Sequence, residues 1–205
     1  SASDCLDAPS AIHNMLTNAD MTFGKIKDEE GNEVELTEGN YSSFIRSKDR
    51  NVRKAAFEKL FSEYEKFKNT LATSLTASIK TFNFNSKVRK YESALEASLQ
   101  PNNIPLDVYK NAVKVMNDNV SSLHRYVKIK KELLNLDEIH MYDLYVPIIE
   151  TQKEKVEFND GVKIVLEALK PLGEEYLDIF KGGINDGWID IYENKGKRGG
   201  AYSWG

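Results

Sequence analysis

Two long apolar stripes at helical spacing limit what this chain can fold into. Phe57, Leu60, Phe61, Tyr64, Phe67, Leu71, Leu75 and Ile79 recur at three- and four-residue steps up to about Lys80, the period that lines one face of an α-helix. Ser47 or Asp49 can cap that helix. Leu106, Tyr109, Val113, Met116, Val120, Leu123, Val127 and Leu134 follow nearly strict heptad steps. Pro105 stands before them at a first helical position, where its missing N–H costs nothing. The second stripe predicts a helix of roughly 30 residues, on the order of 45 Å long. A helix of that length needs neighbours, and the helix from Ser47 is the natural one. Both are expected to be continuous and to pack together, with Leu71 and Leu123 in the core.

Shorter elements surround these two. Residues 1–20 read as a lead-in or a short helix around Ser10 to Leu16. Phe23 to Thr37 reads as a hairpin, with Ile26, Val34 and Leu36 inward and Asp28-Glu29-Glu30-Gly31-Asn32 as the turn. Thr37 offers an N-cap for a short helix through Tyr41, Phe44 and Ile45. Ser86 to Leu99 makes another helix, with Val88, Tyr91, Leu95 and Leu99 inward. The aromatic-rich, non-periodic run from His140 to Pro147 reads as an ordered loop. A helix begins at Asn159 or Asp160 with Val162, Val165, Leu166 and Leu169 inward. A further one carries Tyr176, Leu177 and Phe180 and stops at Gly182-Gly183. Trp188 to Glu193, the turn Lys195-Gly196-Lys197 and the run Gly199-Gly200-Ala201 form a terminal hairpin. The fold class is mainly α: a multi-helix lobe with long antiparallel helices and small β-hairpins.

Composition narrows the partners. The 205 residues are 40% hydrophobic and 29% charged, with a net charge of −4. A phosphate-binding face leaves a basic bias, so no nucleic acid partner is expected. No run of eighteen apolar residues exists, so no membrane span is expected. A single cysteine, Cys5, can form neither an internal disulfide nor a cysteine-rich zinc site. No signal peptide is visible at the N-terminus, and a cytoplasmic location is expected.

A search for catalytic constellations gives little. His13, His124 and His140 are not spaced as a helical metal pair, and none has a Cys or carboxylate at zinc-like spacing. There is no Gly-x-Ser-x-Gly elbow and no phosphate loop. Gly196-Lys197-Arg198-Gly199-Gly200 is a tight turn with a positive tip. Its charges, with Lys195, read as solvated. The carboxylate groups Asp28-Glu29-Glu30 and Glu174-Glu175 lie in a turn and at a helix start, where acids belong on electrostatic grounds.

Four stretches carry a resemblance. Asp190-Ile191-Tyr192-Glu193-Asn194-Lys195-Gly196-Lys197-Arg198-Gly199-Gly200-Ala201-Tyr202-Ser203 resembles the signature that precedes the zinc helix in oligoendopeptidase F-type zinc peptidases of the thimet oligopeptidase superfamily. Asp143-Leu144-Tyr145-Val146-Pro147 is a second match, at the expected upstream position. Asn18-Ala19-Asp20-Met21-Thr22-Phe23 and the run from Arg46 to Phe57 extend the likeness over nearly the whole chain, in order. Family members often carry Ser where Gly199 stands. The His-Glu-x-x-His helix, the further glutamate ligand and the later His and Tyr of that family have no counterpart here.

The resemblance implies a front part, with residues 1–22 as lead-in, 23–135 as a helical lobe and 136–205 as the start of a catalytic domain. It implies zinc in the complete enzyme and none in this chain, which is expected to be inactive alone. The implied substrates are short unfolded peptides. Gly199, Gly200, Ala201, Tyr202 and Ser203 would line the channel and pair with the substrate backbone, which small residues and a free strand edge allow. The missing C-terminal half would be the packing partner of the terminal hairpin. Without it, Trp188, Tyr192, Tyr202 and Trp204 would leave apolar surface for self-association. The rival reading is a stand-alone helical interaction module that binds a partner through the hairpin and catalyses nothing.

Overall fold

The core gathers where four short pieces meet one helix. Leu16, Met21, Phe23, Ile26 and Leu36 are buried together against Ala56 and Leu60, with Tyr41, Phe44, Tyr64, Phe67 and Leu71 packed around them. The computed structural model describes residues 2–149, 156–192 and Lys197. The backbone divides into two compact units, with the boundary after Ile148.

In the first unit, α1 (Ala2–Met15) takes the helical alternative for residues read as a lead-in or a short helix around Ser10 to Leu16, and begins earlier. It lies along α4 (Lys68–Val88), and the Ser74 hydroxyl donates to the Pro9 carbonyl at 2.7 Å. A wider, π-type turn over Leu16–Asp20 ends α1 and buries Leu16 and Thr17. The expected hairpin forms from β1 (Lys25–Lys27) and β2 (Glu33–Glu35), antiparallel, with Ile26 opposite Val34. Its turn places Gly31 at φ 86, a conformation glycine adopts without Cβ strain. The Asp28 carboxylate accepts the Asn32 backbone N–H at 2.7 Å. Thr37 caps α2 (Glu38–Phe44) through a reciprocal pair with Asn40. Asp49, rather than Ser47, caps α3 (Arg50–Lys66) by accepting the Asn51 N–H at 2.8 Å.

Neither long helix is continuous. The first breaks at Phe67, which leaves helical geometry at φ −107 and ψ 11 and packs its ring against the core cluster. The second divides at Asn119 (φ −107, ψ 6) into α6 (Leu106–Asp118) and α7 (Val120–Leu133). The Asn117 and Asn119 side-chain amides donate back to the Val113 and Val115 carbonyls, each at 2.8 Å. Such back-bonding competes with the backbone ladder at that point. Pro105 is the N-cap of α6, one residue ahead of the expected position. The two helix pairs do not form a common core either. Leu71 is half-buried on the core cluster, but Leu75, Ile79, Val113, Met116, Val120 and Leu123 are exposed.

The segment expected as one helix over 86–99 belongs partly to α4, which runs through Val88. Lys90 is left-handed at φ 62, and the Tyr91 N–H donates to the Ser86 carbonyl, closing the helix end. A separate α5 (Ala94–Leu99) follows, capped by Ser93. Asn135, at φ 51, ends α7 in the same way.

In the second unit, α8 (Phe158–Leu169) and α9 (Glu174–Asn185) are joined through Pro171 and Gly173. Leu177 is buried, while Val165 is exposed rather than inward. Helix α9 runs through Gly182 and Gly183 instead of stopping there. Glycine weakens a helix without forbidding it. The stop is Gly187, at φ 76. Residues 188–192 carry no strand, because a strand exists only against a hydrogen-bonded partner and none lies among the described residues.

Candidate functional site

The residues expected to line a substrate channel, Gly199, Gly200, Ala201, Tyr202 and Ser203, lie outside the described residues, as do Lys195, Gly196 and Arg198. The approach to them is described. At the end of α9 the Trp188 N–H donates to the Gly183 carbonyl at 2.9 Å and the Gly187 N–H to that of Ile184 at 3.4 Å. The Trp188 ring lies directly on Gly183, where an added Cβ would come within 2.4 Å of it. Tyr176, Ile179, Phe180, Ile184 and Ile189 surround that contact in an apolar cleft of about 410 Å³. Lys197 is not a solvated turn charge. Its ammonium donates to the Asp190 carbonyl at 2.6 Å and the Tyr192 carbonyl at 2.8 Å. It also pairs with the Asp190 carboxylate at 3.3 Å.

The strongest side-chain constellation lies elsewhere, in the first unit. Asp143 is fully buried in a 3₁₀ turn (Met141–Asp143) of the aromatic loop. One oxygen accepts from Arg53 at 2.7 Å and from the Arg50 Nε at 3.2 Å. The other accepts from the second Arg50 nitrogen at 3.0 Å and from the His140 backbone N–H at 3.0 Å. Arg53 is itself buried and also donates to the Ser47 and Lys48 carbonyls, at 2.9 and 3.0 Å. Its Nε is the one buried side-chain N/O atom without a partner among the described residues. The two arginines sit on the first turn of α3, so a single carboxylate joins two of the signature stretches.

Lys130, near the end of α7, completes the cluster. It is buried, and its ammonium donates to the Leu144 and Val146 carbonyls, each at 2.7 Å. Burial lowers its pKa, Arg53 lowers it further, and Asp143 pulls it back up. Burial alone would raise the Asp143 pKa. Hydrogen bonds from Arg50, from Arg53 and from the His140 backbone outweigh that, so the carboxyl stays below its ordinary value. A carboxylate so engaged is a poor proton carrier. The arrangement holds backbone in place. Arg50 also lies over the Tyr142 ring, 5.5 Å from its centre, and the His140 ring stacks on Tyr142 with the ring centres 5.0 Å apart.

Among the described residues, no three His, Cys, Asp or Glu side chains come together to hold a metal ion. His13, His124 and His140 are exposed and lie on α1, α7 and the aromatic loop. These residues do not fit a zinc site. Sequence reasoning quoted Asp143 and both arginines only as parts of likenesses and missed their contact. Asp143 and Arg53 are 90 positions apart, so no local signal joins them.

The fold and the Asp143 cluster describe a mainly helical scaffold in which the start of α3 and the aromatic loop are tied together from within. Comparison then gives the class. The description "Peptidase family M3" matches residues 43–205, and the chain belongs to that family. Oligopeptidase PepF of Bacillus subtilis (strain 168) is 48% identical over 204 residues, which are all of this chain and 30% of that protein. Group B oligopeptidase PepB of Streptococcus agalactiae is 39% identical over the same length, 34% of that protein. The crystal structure of oligoendopeptidase-F from Enterococcus faecium is similar at a TM-score of 0.72 and 45% identity, over 87% of this chain and 33% of that one. The chain thus spans about a third of the length of the relatives it matches.

Proposed function

We propose that this chain is the front, channel-lining portion of a cytoplasmic zinc-dependent oligoendopeptidase that hydrolyses short unfolded peptides. The observation that carries the reading is likeness over the whole chain, at 48% identity, to a protein named an oligopeptidase. Residues 136–205 begin the catalytic domain, and its zinc ligands lie in a part of the enzyme outside these 205 residues. The strand from Gly199 to Ser203 pairs with the substrate main chain. Support comes from its composition: small residues allow close backbone approach, and an edge strand offers N–H and C=O groups to an extended peptide.

The described residues contribute binding and orientation to this chemistry. Gly183, Gly187 and Trp188 fix the direction in which the chain leaves α9. Lys197 clasps two carbonyls of the outgoing arm. The test is to express the gene beyond Gly205 and measure zinc content and chelator-sensitive cleavage of a quenched peptide. One zinc per chain with turnover is expected for the longer protein, and neither for residues 1–205 alone. A longer protein without metal or turnover overturns the reading.

A further inference from the structure

The heptad stripe on α6 and α7 changes character along its length. At its far end it lies inside the first unit. Lys130 stands on the stripe one heptad after Leu123 and is 3% exposed, with its ammonium on the Leu144 and Val146 carbonyls. Val127 and Leu134, its neighbours along the stripe, are half-buried. Toward the start of α7 the same face comes out into solvent. Leu123 and Val120 are exposed, Met116 is 74% exposed, and Val113 and Tyr109 continue the open stretch along α6. Among the described elements α6 makes its substantial contacts with α5 and α7. A helix of 13 residues is marginal alone in water and owes its stability to packing of an apolar face. The stripe is thus continuous with an internal contact at Lys130 and bare from Leu123 back to Tyr109.

We propose that the stripe from Tyr109 to Leu123 is the docking surface for an amphipathic α-helix from the part of the same polypeptide outside these 205 residues. The inference rests on the oligopeptidase reading only for the existence of that longer polypeptide. Relatives of this chain are about three times its length. A segment tethered to the same chain meets the face at an effective concentration of about millimolar, which favours it over a second copy in dilute solution. Heptad spacing is the pattern that receives another helix, whose side chains fit between those of the stripe. The facing positions are apolar throughout, so the occupant is apolar along its contact. A helix of about 15 residues, roughly 22 Å, matches the open stretch.

The experiment places the photo-crosslinker p-benzoylphenylalanine singly at Val113, Met116, Val120 or Lys128 of the full-length protein. Irradiation should join the three stripe positions to a segment outside residues 1–205 of the same molecule. Adducts from Val113 and Val120, one heptad apart, should fall about seven residues apart on that segment, two turns of a helix. Lys128, exposed and off the stripe, should give no adduct there. In hydrogen exchange on the unmodified full-length protein, the amides from Val113 to Met116 should be as protected as those of α3 around Ala56 and Leu60. Adducts confined to residues 1–205 overturn the proposal, and so does adduct formation from Lys128 into the same segment. Adducts that join two molecules make the occupant a second copy. Scattered adducts from Val113 and Val120 exclude a helical occupant. Should a labelled variant fail to fold, exchange decides: α6 amides that exchange as freely as an unpacked helix overturn the proposal. None of these readouts uses zinc or turnover, so a full-length protein without activity defeats the peptidase reading and leaves the docking test standing.

Discussion

At the scale of single residues, Asp143 carries the most. Asp143→Ala would leave Arg53 buried beside an uncompensated site. Removing one partner of a buried ion pair costs about 3–5 kcal/mol, so denaturant melts should show a loss of that size. The same carboxylate sets an acid limb. Its folded pKa is lowered, while an unfolded Asp titrates near about 3.9. Its contribution is therefore complete above about pH 4 and is lost as pH falls through the lower folded value. Stability curves from pH 7 to pH 3 should fall at the acid end in wild type and fall less in Asp143→Asn. An equally steep limb in that variant would assign the acid sensitivity to other carboxylates. Gly183 gives a second residue-scale expectation. A Cβ there meets the Trp188 ring at 2.4 Å, so Gly183→Ala should displace the ring. A change in tryptophan emission with little change in helix content would show it, and an unaltered spectrum would count against the tight seat.

At the scale of elements, local signals were legible and distant ones were not. Thr37 and Asn40 cap α2 through residues three positions apart, and the Phe23 to Thr37 hairpin follows from its turn and its alternation. The breaks at Phe67 and Asn119 were hidden because apolar spacing continues through both. Periodicity reports which face is apolar and does not report whether the backbone stays helical between two turns. Gly182-Gly183 misled for a related reason: the residue that ends α9 is the one needing positive φ, Gly187. The residues read as the site, Gly199 to Ser203, lie outside the described residues; the Asp143 cluster was present in the sequence only as two stretches of likeness, with Lys130 in neither, and the link between them needed coordinates. These differences change the expected mutational costs. Leu60, buried in the core cluster, should lose about 2–5 kcal/mol on replacement by Ala. Leu123 is 58% exposed, and Leu123→Ala should stay within about 0.5 kcal/mol, as for other surface positions. Equal losses at both would restore the two packed stripes that the spacing suggested.

At the scale of the whole molecule, the notable feature is apolar helix surface left open. Leu75, Ile79 and Phe82 are exposed on α4, and Val113, Met116, Val120 and Leu123 on α6 and α7. Trp188 and Tyr192 add a second exposed apolar group near the end of α9. Large apolar side chains left exposed in this number on a helix face mark an interface or a liability for association. Relatives of this chain are about three times its length, and on the proposed reading their remaining part supplies the cover. Residues 1–205 alone should then bind a hydrophobic dye and sediment with a concentration-dependent mass, and the longer protein should do neither to the same degree. The two groups can be separated. Met116→Lys with Leu123→Lys should suppress association more than Trp188→Ser with Tyr192→Ser, because the helical faces expose more large apolar side chains together. If the second pair is the more effective, the terminal segment drives association, as the sequence suggested. If the 205-residue chain stays monomeric and dye-free at high concentration, these faces need no cover, and they then cannot be where the rest of the enzyme packs.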